Sequence, residues 1–368
     1  MLNKHVLRAI GLAWLILYGC GSSGNDLSTG PKDTSRNLSE WNIPEDEIIS
    51  GGVAADGIPS LQNPKMISAQ EALQKNYLRD DALVVGIVVA GQPRAYPHSV
   101  LDWHEVVNED AIGIFTVSYC PLTGTAVVFD GAILGQFGVS GLLYRNNLIM
   151  FDRRTGSHWP QLRLQCDQGQ LRDSKMRVLP AIETSWATWR ELFPNTVIMS
   201  FNTGFNRPYD RPGSAYPGYD ALDSQPLFQQ KGIDHRLPLK QRVHGVLVGD
   251  GPDNYQSKVY LIKETQQRRL IHDLVANEAI LVVDVGEKNF IISFLRTVDG
   301  QTLNFELQDN SDVFPFTFKD QETGSTWNLL GEAIDGPLAG KKLRRPMSIN
   351  AFWFAWGAFY EGAEIYND

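Results

Sequence analysis

Asp152-Arg153-Arg154-Thr155-Gly156-Ser157-His158-Trp159 returns 168 positions later as Asp320-Gln321-Glu322-Thr323-Gly324-Ser325-Thr326-Trp327. At the same spacing His104-Glu105-Val106-Val107 meets His272-Asp273-Leu274-Val275, and Ala111-Ile112 meets Ala279-Ile280. One offset shared by separated segments is hard to obtain by chance, and it organises the chain as two homologous halves. Two further matches follow: Trp186-Ala187-Thr188-Trp189 with Trp353-Phe354-Ala355-Trp356 after a one-residue slip, and, upstream at a shorter offset, Val84-Val85-Gly86 with Val243-His244-Gly245. The expected organisation is a first repeat over 51–202, a Pro- and Tyr-rich connecting loop over 203–238, and a second, degenerate repeat over 239–368.

Hydrophobic periodicity gives each half a similar reading. The β-branched run Leu83 to Val89 is a strand. Pro97 opens a short helix, because its fixed φ suits a first turn and Val100, Leu101, His104 and Val107 follow at helical spacing. Ala111 to Tyr119, Ala126 to Phe129 and Leu148 to Phe151 read as strands, with Thr155-Gly156 turning a hairpin toward Trp159. Ser185 to Leu192 reads as a helix stopped by Pro194, and Val197 to Phe201 as a closing strand. Strands and short helices without regular βαβ alternation predict an α+β fold with mainly antiparallel sheet. The six paired tryptophans (Trp159, Trp186, Trp189 and Trp327, Trp353, Trp356) predict aromatic core packing, and Tyr209, Tyr216 and Tyr219 predict that the connecting loop packs on the fold.

At the N-terminus Lys4, His5 and Arg8 precede an apolar run from Ala9 to Tyr18, too short to span a membrane but right for an export signal over residues 1–19. The following Gly19-Cys20-Gly21 resembles a bacterial lipoprotein signal, in which the cysteine is acylated and becomes the first residue. The expected partner is therefore a membrane held through Cys20, with 20–50 as a polar tether and the cell envelope as the location. The absence of Asp after Cys20 implies the outer membrane, facing the periplasm, if the host has two membranes. The formal charge is −9, becoming −11 once Lys4 and Arg8 are removed, which disfavours nucleic acid as a partner. A chain that is 43% hydrophobic and 20% charged is neither collagenous nor disordered.

Trp103-His104-Glu105-Val106-Val107-Asn108, Tyr119-Cys120-Pro121-Leu122-Thr123-Gly124, Gly138 to Tyr144 and Asp152 to Trp159 together resemble a bacterial family catalogued as a domain of unknown function. The resemblance runs from about Asp56 to near Trp356 and implies an exported or lipid-anchored protein with no assigned reaction. Many relatives resemble Cys-Pro-Leu-Cys-Gly where this chain has Thr123, so a Cys-x-x-Cys redox or metal pair is impossible here.

Three chemistries remain open. In the first, Cys120, His104 and His98 hold a transition metal, copper before zinc, with Met150 as a weak axial ligand and His158 as an extra candidate. Helical geometry opposes it, because six residues place His98 and His104 about 120° apart, whereas His98 and Asp102 share a face. In the second, Cys120 is a nucleophile, His104 its base, and Asp102 or Glu105 orients the imidazole. The third is a non-catalytic scaffold whose aromatic surfaces bind glycan or protein, with His104 and His272 capping equivalent helices. Cys120 and Cys166 could also be bridged in an oxidising compartment. No phosphate-binding Gly loop, G-x-S-x-G elbow or H-E-x-x-H pair occurs, which disfavours nucleotide binding and the common hydrolases.

Overall fold

Leu83–Val89 pairs antiparallel with Gln92–Pro97 across a tight turn in which Ala90 and Gly91 both take positive φ. Such turns match the right-handed twist of the strands they join. Around this hairpin a sheet forms in the order Ile182–Ser185, Leu83–Val89, Gln92–Pro97, Val197–Met199, Met66–Ser68. All its neighbours are antiparallel except Val197–Met199 on Gln92–Pro97. Further along, the first four positions return as Met347–Phe352, Arg242–Val248, Gln256–Leu261 and Glu364–Ile365, again with the last pair parallel. The computed structural model describes residues 37–132, 135–211, 213, 215–263, 267–308 and 312–367. The segment 1–19, read as an export signal, and Cys20 lie outside the described residues.

Two other sheet types complete the molecule. Val106–Glu109, Phe115–Cys120 and Thr125–Asp130 form an antiparallel meander, as do Arg268–Val275, Glu278–Val285 and Phe290–Leu295. Phe137–Tyr144, Asn147–Asp152 and His158–Pro160 form another, paralleled by Phe305–Leu307, Thr317–Asp320 and Thr326–Asn328. The α-helices among the described residues are short, at six or seven residues, so the fold is α+β with mainly antiparallel sheet. The repeated Asp-to-Trp motif is turn chemistry in both places. Asp152 accepts from the Thr155 amide at 2.7 Å and the Trp159 indole at 3.1 Å, and Asp320 from Thr323 at 2.6 Å and Trp327 at 2.8 Å.

Some local expectations differ from the structure. His104 ends the helix His98–His104, but His272 lies in the strand Arg268–Val275, so the two do not cap equivalent helices. Val107, read at helical spacing, lies past the helix in the strand Val106–Glu109. The second-half segment has no proline at its start. Residues read as tether also enter the fold: Ile48–Ser50 pairs with Leu142 to Tyr144 at a sheet edge. No helix among the described residues is long and apolar enough to cross a membrane.

The core crosses between the repeats. One buried cluster contains Cys120, Phe137, Met150 and Trp159 together with Val243, Ile349, Trp353 and Trp356. The reciprocal cluster contains Val84, Trp186 and Trp189 together with Leu281, Phe294, Phe318 and Trp327. Each Trp-bearing helix thus shares a core with the hairpin sheet of the other sequence half. Hydrogen bonds cross as well: Thr188 Oγ1 donates to the Lys288 carbonyl at 2.7 Å, and the Phe352 amide to the Thr123 carbonyl at 2.8 Å. Leu38–Asp368 is one compact unit.

Each helix docks through an indole laid on a glycine. A Cβ on Gly86 would come within 2.3 Å of the Trp189 ring, and one on Gly245 within 2.0 Å of Trp356. Filling space that an indole already occupies forces it off its rotamer, so G86A and G245A should each cost about 1–3 kcal/mol. Denaturant midpoints measure this, and an unchanged midpoint in both would show that the contacts are not limiting.

Candidate functional site

The helix His98–His104 begins directly after Pro97 and places three side chains on a cavity. His98 and Asp102 are four residues apart and Ser99 lies one turn below Asp102, so all three share one flank. The cavity measures about 410 Å³ and opens between that helix, the strand Ile182–Ser185, the start of Arg242–Val248 and the connecting loop. Glu183 enters from the first strand, Arg242 from the second, and Tyr216, Tyr219 and Asp220 from the loop. The loop does pack on the fold: the Tyr219 hydroxyl donates to the Leu122 carbonyl at 3.0 Å.

Electrostatics in this cavity are set by burial. Arg242 pairs with Glu183 Oε1, which leaves Glu183 Oε2 without a hydrogen-bond partner, 3.7 Å from His98 Nε2. His98 Nε2 and Ser99 Oγ are also buried and unpartnered. Burial, reinforced by Arg242, pushes the His98 imidazole down to about 3, so it is neutral. Burial likewise raises the Glu183 carboxyl, opposed by Arg242 and Asn350. Burial pushes Asp102 up to about 7, with an N–H from Gly213 opposing and the Asp220 charge adding. Glu105, three residues on, is raised to about 8 by burial and by Asp102. At the mouth, Arg79 and Asp81 form a bidentate pair with contacts of 2.9 and 2.5 Å.

The residues singled out from sequence do not converge. His104 is fully buried on the opposite side of its helix, where Nδ1–H donates to the Pro59 carbonyl at 2.8 Å and Nε2 accepts from the Tyr209 hydroxyl at 2.6 Å. With both nitrogens occupied, it has no free lone pair for a metal or a thiol proton. Cys120 is 1% exposed, donates to the Asn146 carbonyl at 3.6 Å, and is pushed up to about 11 by burial and Glu105. A thiol so raised is neither an activated nucleophile nor a ready thiolate ligand. Met150 sits at 0% exposure in the core, and His158 Nδ1 meets Gln168 Oε1 at 2.7 Å. Of the ligand set His98, His104 and Cys120, only His98 lines the cavity. Among the described residues no group of three or more His, Cys, Asp or Glu is placed to hold a metal ion. Cys120 and Cys166 are both free thiols.

Sequence reasoning missed Ser99, Glu183, Arg242 and the tyrosine wall. The available signal was a difference between matched segments: Glu183 stands where the second-half segment has Asn350, and Arg242 where the first-half segment has Leu83.

A sequence model of a protein family, described as protein of unknown function (DUF3179), matches residues 55–363, a span that contains the whole cavity. No curated protein and no solved structure matches the chain.

Asp102 makes stability depend on pH in a defined sense. Its carboxyl titrates at 3.8 in the unfolded chain and about 7 in the fold, so between these values the folded state keeps a proton that the unfolded state has lost. Stability from this group therefore declines as pH rises through that window. D102N should gain on the wild type in guanidinium midpoint between pH 5 and pH 8. A difference that is flat, or moves the other way, would show that Asp102 is not held protonated.

Proposed function

The chain belongs to the family of proteins of unknown function (DUF3179), and from that premise we propose that its cavity is a small-molecule site with acid–base capacity. The observation that carries this is convergence: His98 Nε2, Ser99 Oγ and Glu183 Oε2 are buried and lack partners, and their three residues line one cavity of about 410 Å³. Leaving a buried polar atom unpaired costs about 1–3 kcal/mol, and three at one place are explained by a ligand that satisfies them. The volume lies in the range of about 300–1,000 Å³ typical of small-molecule pockets.

In this reading Glu183 Oε2 accepts from the ligand, Ser99 Oγ donates or accepts, and neutral His98 offers Nε2 in whichever sense its tautomer allows. Asp102 is the group that holds a movable proton near neutrality, the property that general acid–base work requires. Glu183 stays anchored by Arg242 and serves as a fixed acceptor. The test is ligand-observed NMR with a panel of small soluble amines, alcohols and carboxylates. Binders should compete for one site and weaken by roughly 2- to 10-fold in S99A and E183Q, the loss expected for one hydrogen bond. A panel with no binder, or with binders indifferent to both substitutions, would overturn the reading.

The cell envelope is the proposed location, supported by the charged and apolar order of residues 1–19 and by Cys20. Palmitate supplied to growing cells should label the protein, and C20S should abolish the label and release the protein from the membrane fraction. Retention of the label in C20S would refute acylation at this cysteine.

A further inference from the structure

The charges around the cavity do not cancel. Arg79 is neutralised by Asp81 and Arg242 by Glu183. His98 carries no charge at neutral pH. That leaves Asp102 and Asp220 lining the same space, close enough for the charge of one to disfavour ionisation of the other. The cation whose charge acts on Asp220 is Lys240, an amine that burial itself pushes down to about 7.

The wall opposite in chemistry is aromatic. Tyr216 and Tyr219 stand 6.1 Å apart at 50°, and Tyr219 meets Phe352 at 6.5 Å and 74°, giving a corner of three rings set at steep angles. These rings already serve one cation of the chain itself. Lys240, 1% exposed, places Nζ 2.9 Å from the Tyr219 centroid and 4.7 Å from that of Phe352, with no hydrogen-bond partner. Ring faces attract cations electrostatically, most strongly where water is excluded. Burial pushes this amine down to about 7, so near neutrality it sheds much of its own charge.

We propose that the ligand of this cavity carries a cationic nitrogen, an ammonium or quaternary amine, seated between Asp102 and Asp220 and beside the rings of Tyr216 and Tyr219. The inference rests on the cavity being a ligand site, and it names the ligand's chemical class. Two carboxyl groups set against one amine that is itself pushed down to about 7, beside an aromatic corner, disfavour an anion and leave a neutral ligand without a counterpart for the residual charge. The buried Ser99 Oγ and Glu183 Oε2 supply polar contacts for the remainder of such a molecule.

Proton linkage gives this inference a signature. The titratable groups facing Asp102 are Glu105 just past the end of its own helix, Tyr119 on the neighbouring strand, and Tyr216 and Asp220 on the loop. The tyrosines are raised well clear of neutrality and Glu105 is raised above Asp102. As pH rises through about 7, Asp102 gains negative charge and Lys240 loses positive charge, and both changes favour a cation.

The experiment is calorimetric titration with choline, its uncharged carbon isostere neohexanol, and the carboxylate tert-butylacetate, each at pH 6 and pH 8. Choline should bind tightest of the three. Its affinity should rise about tenfold between the two pH values, the factor by which an acid of pKa near 7 gains ionised form. D102N should bind choline with much of that pH dependence removed. Y216L, a change on the loop that leaves the helix untouched, should weaken choline roughly 2- to 30-fold with little effect on neohexanol. Neohexanol or tert-butylacetate binding as well as choline overturns the cationic assignment and leaves the small-molecule site standing. Silence from all three probes, together with an NMR panel that finds no binder, overturns both.

Discussion

Trp189 on Gly86 and Trp356 on Gly245 are the contacts from which the architecture follows. In each, the missing side chain of a strand residue lets an indole lie against the backbone, which brings a seven-residue helix far closer to its sheet than any other residue would allow. A helix so short cannot be stable by itself. It persists because its indoles join a core completed by the other half: Trp353 and Trp356 with Trp159, and Trp186 and Trp189 with Trp327. The two halves of the chain are consequently bound by burial, not by a linker alone.

The cavity lies where this exchange leaves polar groups facing one another. Glu183 at the edge of one central sheet meets Arg242 at the start of the other, and the His98 helix closes the space beside them. Desolvation raises Asp102, Glu105 and Glu183 and lowers His98 and Lys240, all in the direction that removes charge. Of these, Asp102, Glu183 and His98 line the cavity, and such groups oppose stability; perturbed titratable groups gathered in a cleft are what marks a candidate functional site.

His104 and Cys120, which stand out in sequence, are a layer behind this cavity. His104, in the segment Trp103 to Asn108, ties the Pro59 carbonyl to Tyr209, whose hydroxyl also meets Thr203 Oγ1 at 2.8 Å. It thereby fixes the connecting loop that supplies Tyr216 and Tyr219. Cys120 ends a strand as a small buried apolar residue, and Thr123 beside it bonds Thr125 and Asn147 at 2.9 Å. A histidine and a cysteine close in sequence read as a reactive pair. The helix turn between His98 and His104 separates cavity from core instead.

Strand and helix content, the Asp-to-Trp turns and the paired tryptophans were legible because they depend on local periodicity and on residues within one turn of each other. The helix after Pro97 was legible for the same reason, as was the shared face of His98 and Asp102. The exchange of cores between repeats was not, since apolar patterning says that a face is buried but not against what. Nor was the pairing of Glu183 with Arg242, which depends on the edge strand of one sheet meeting the end of an inner strand of another across a long loop. The sequence determined the elements and their turns; the tertiary structure decided which side chains lose water, and that loss is what separates a core histidine from one that faces a cavity.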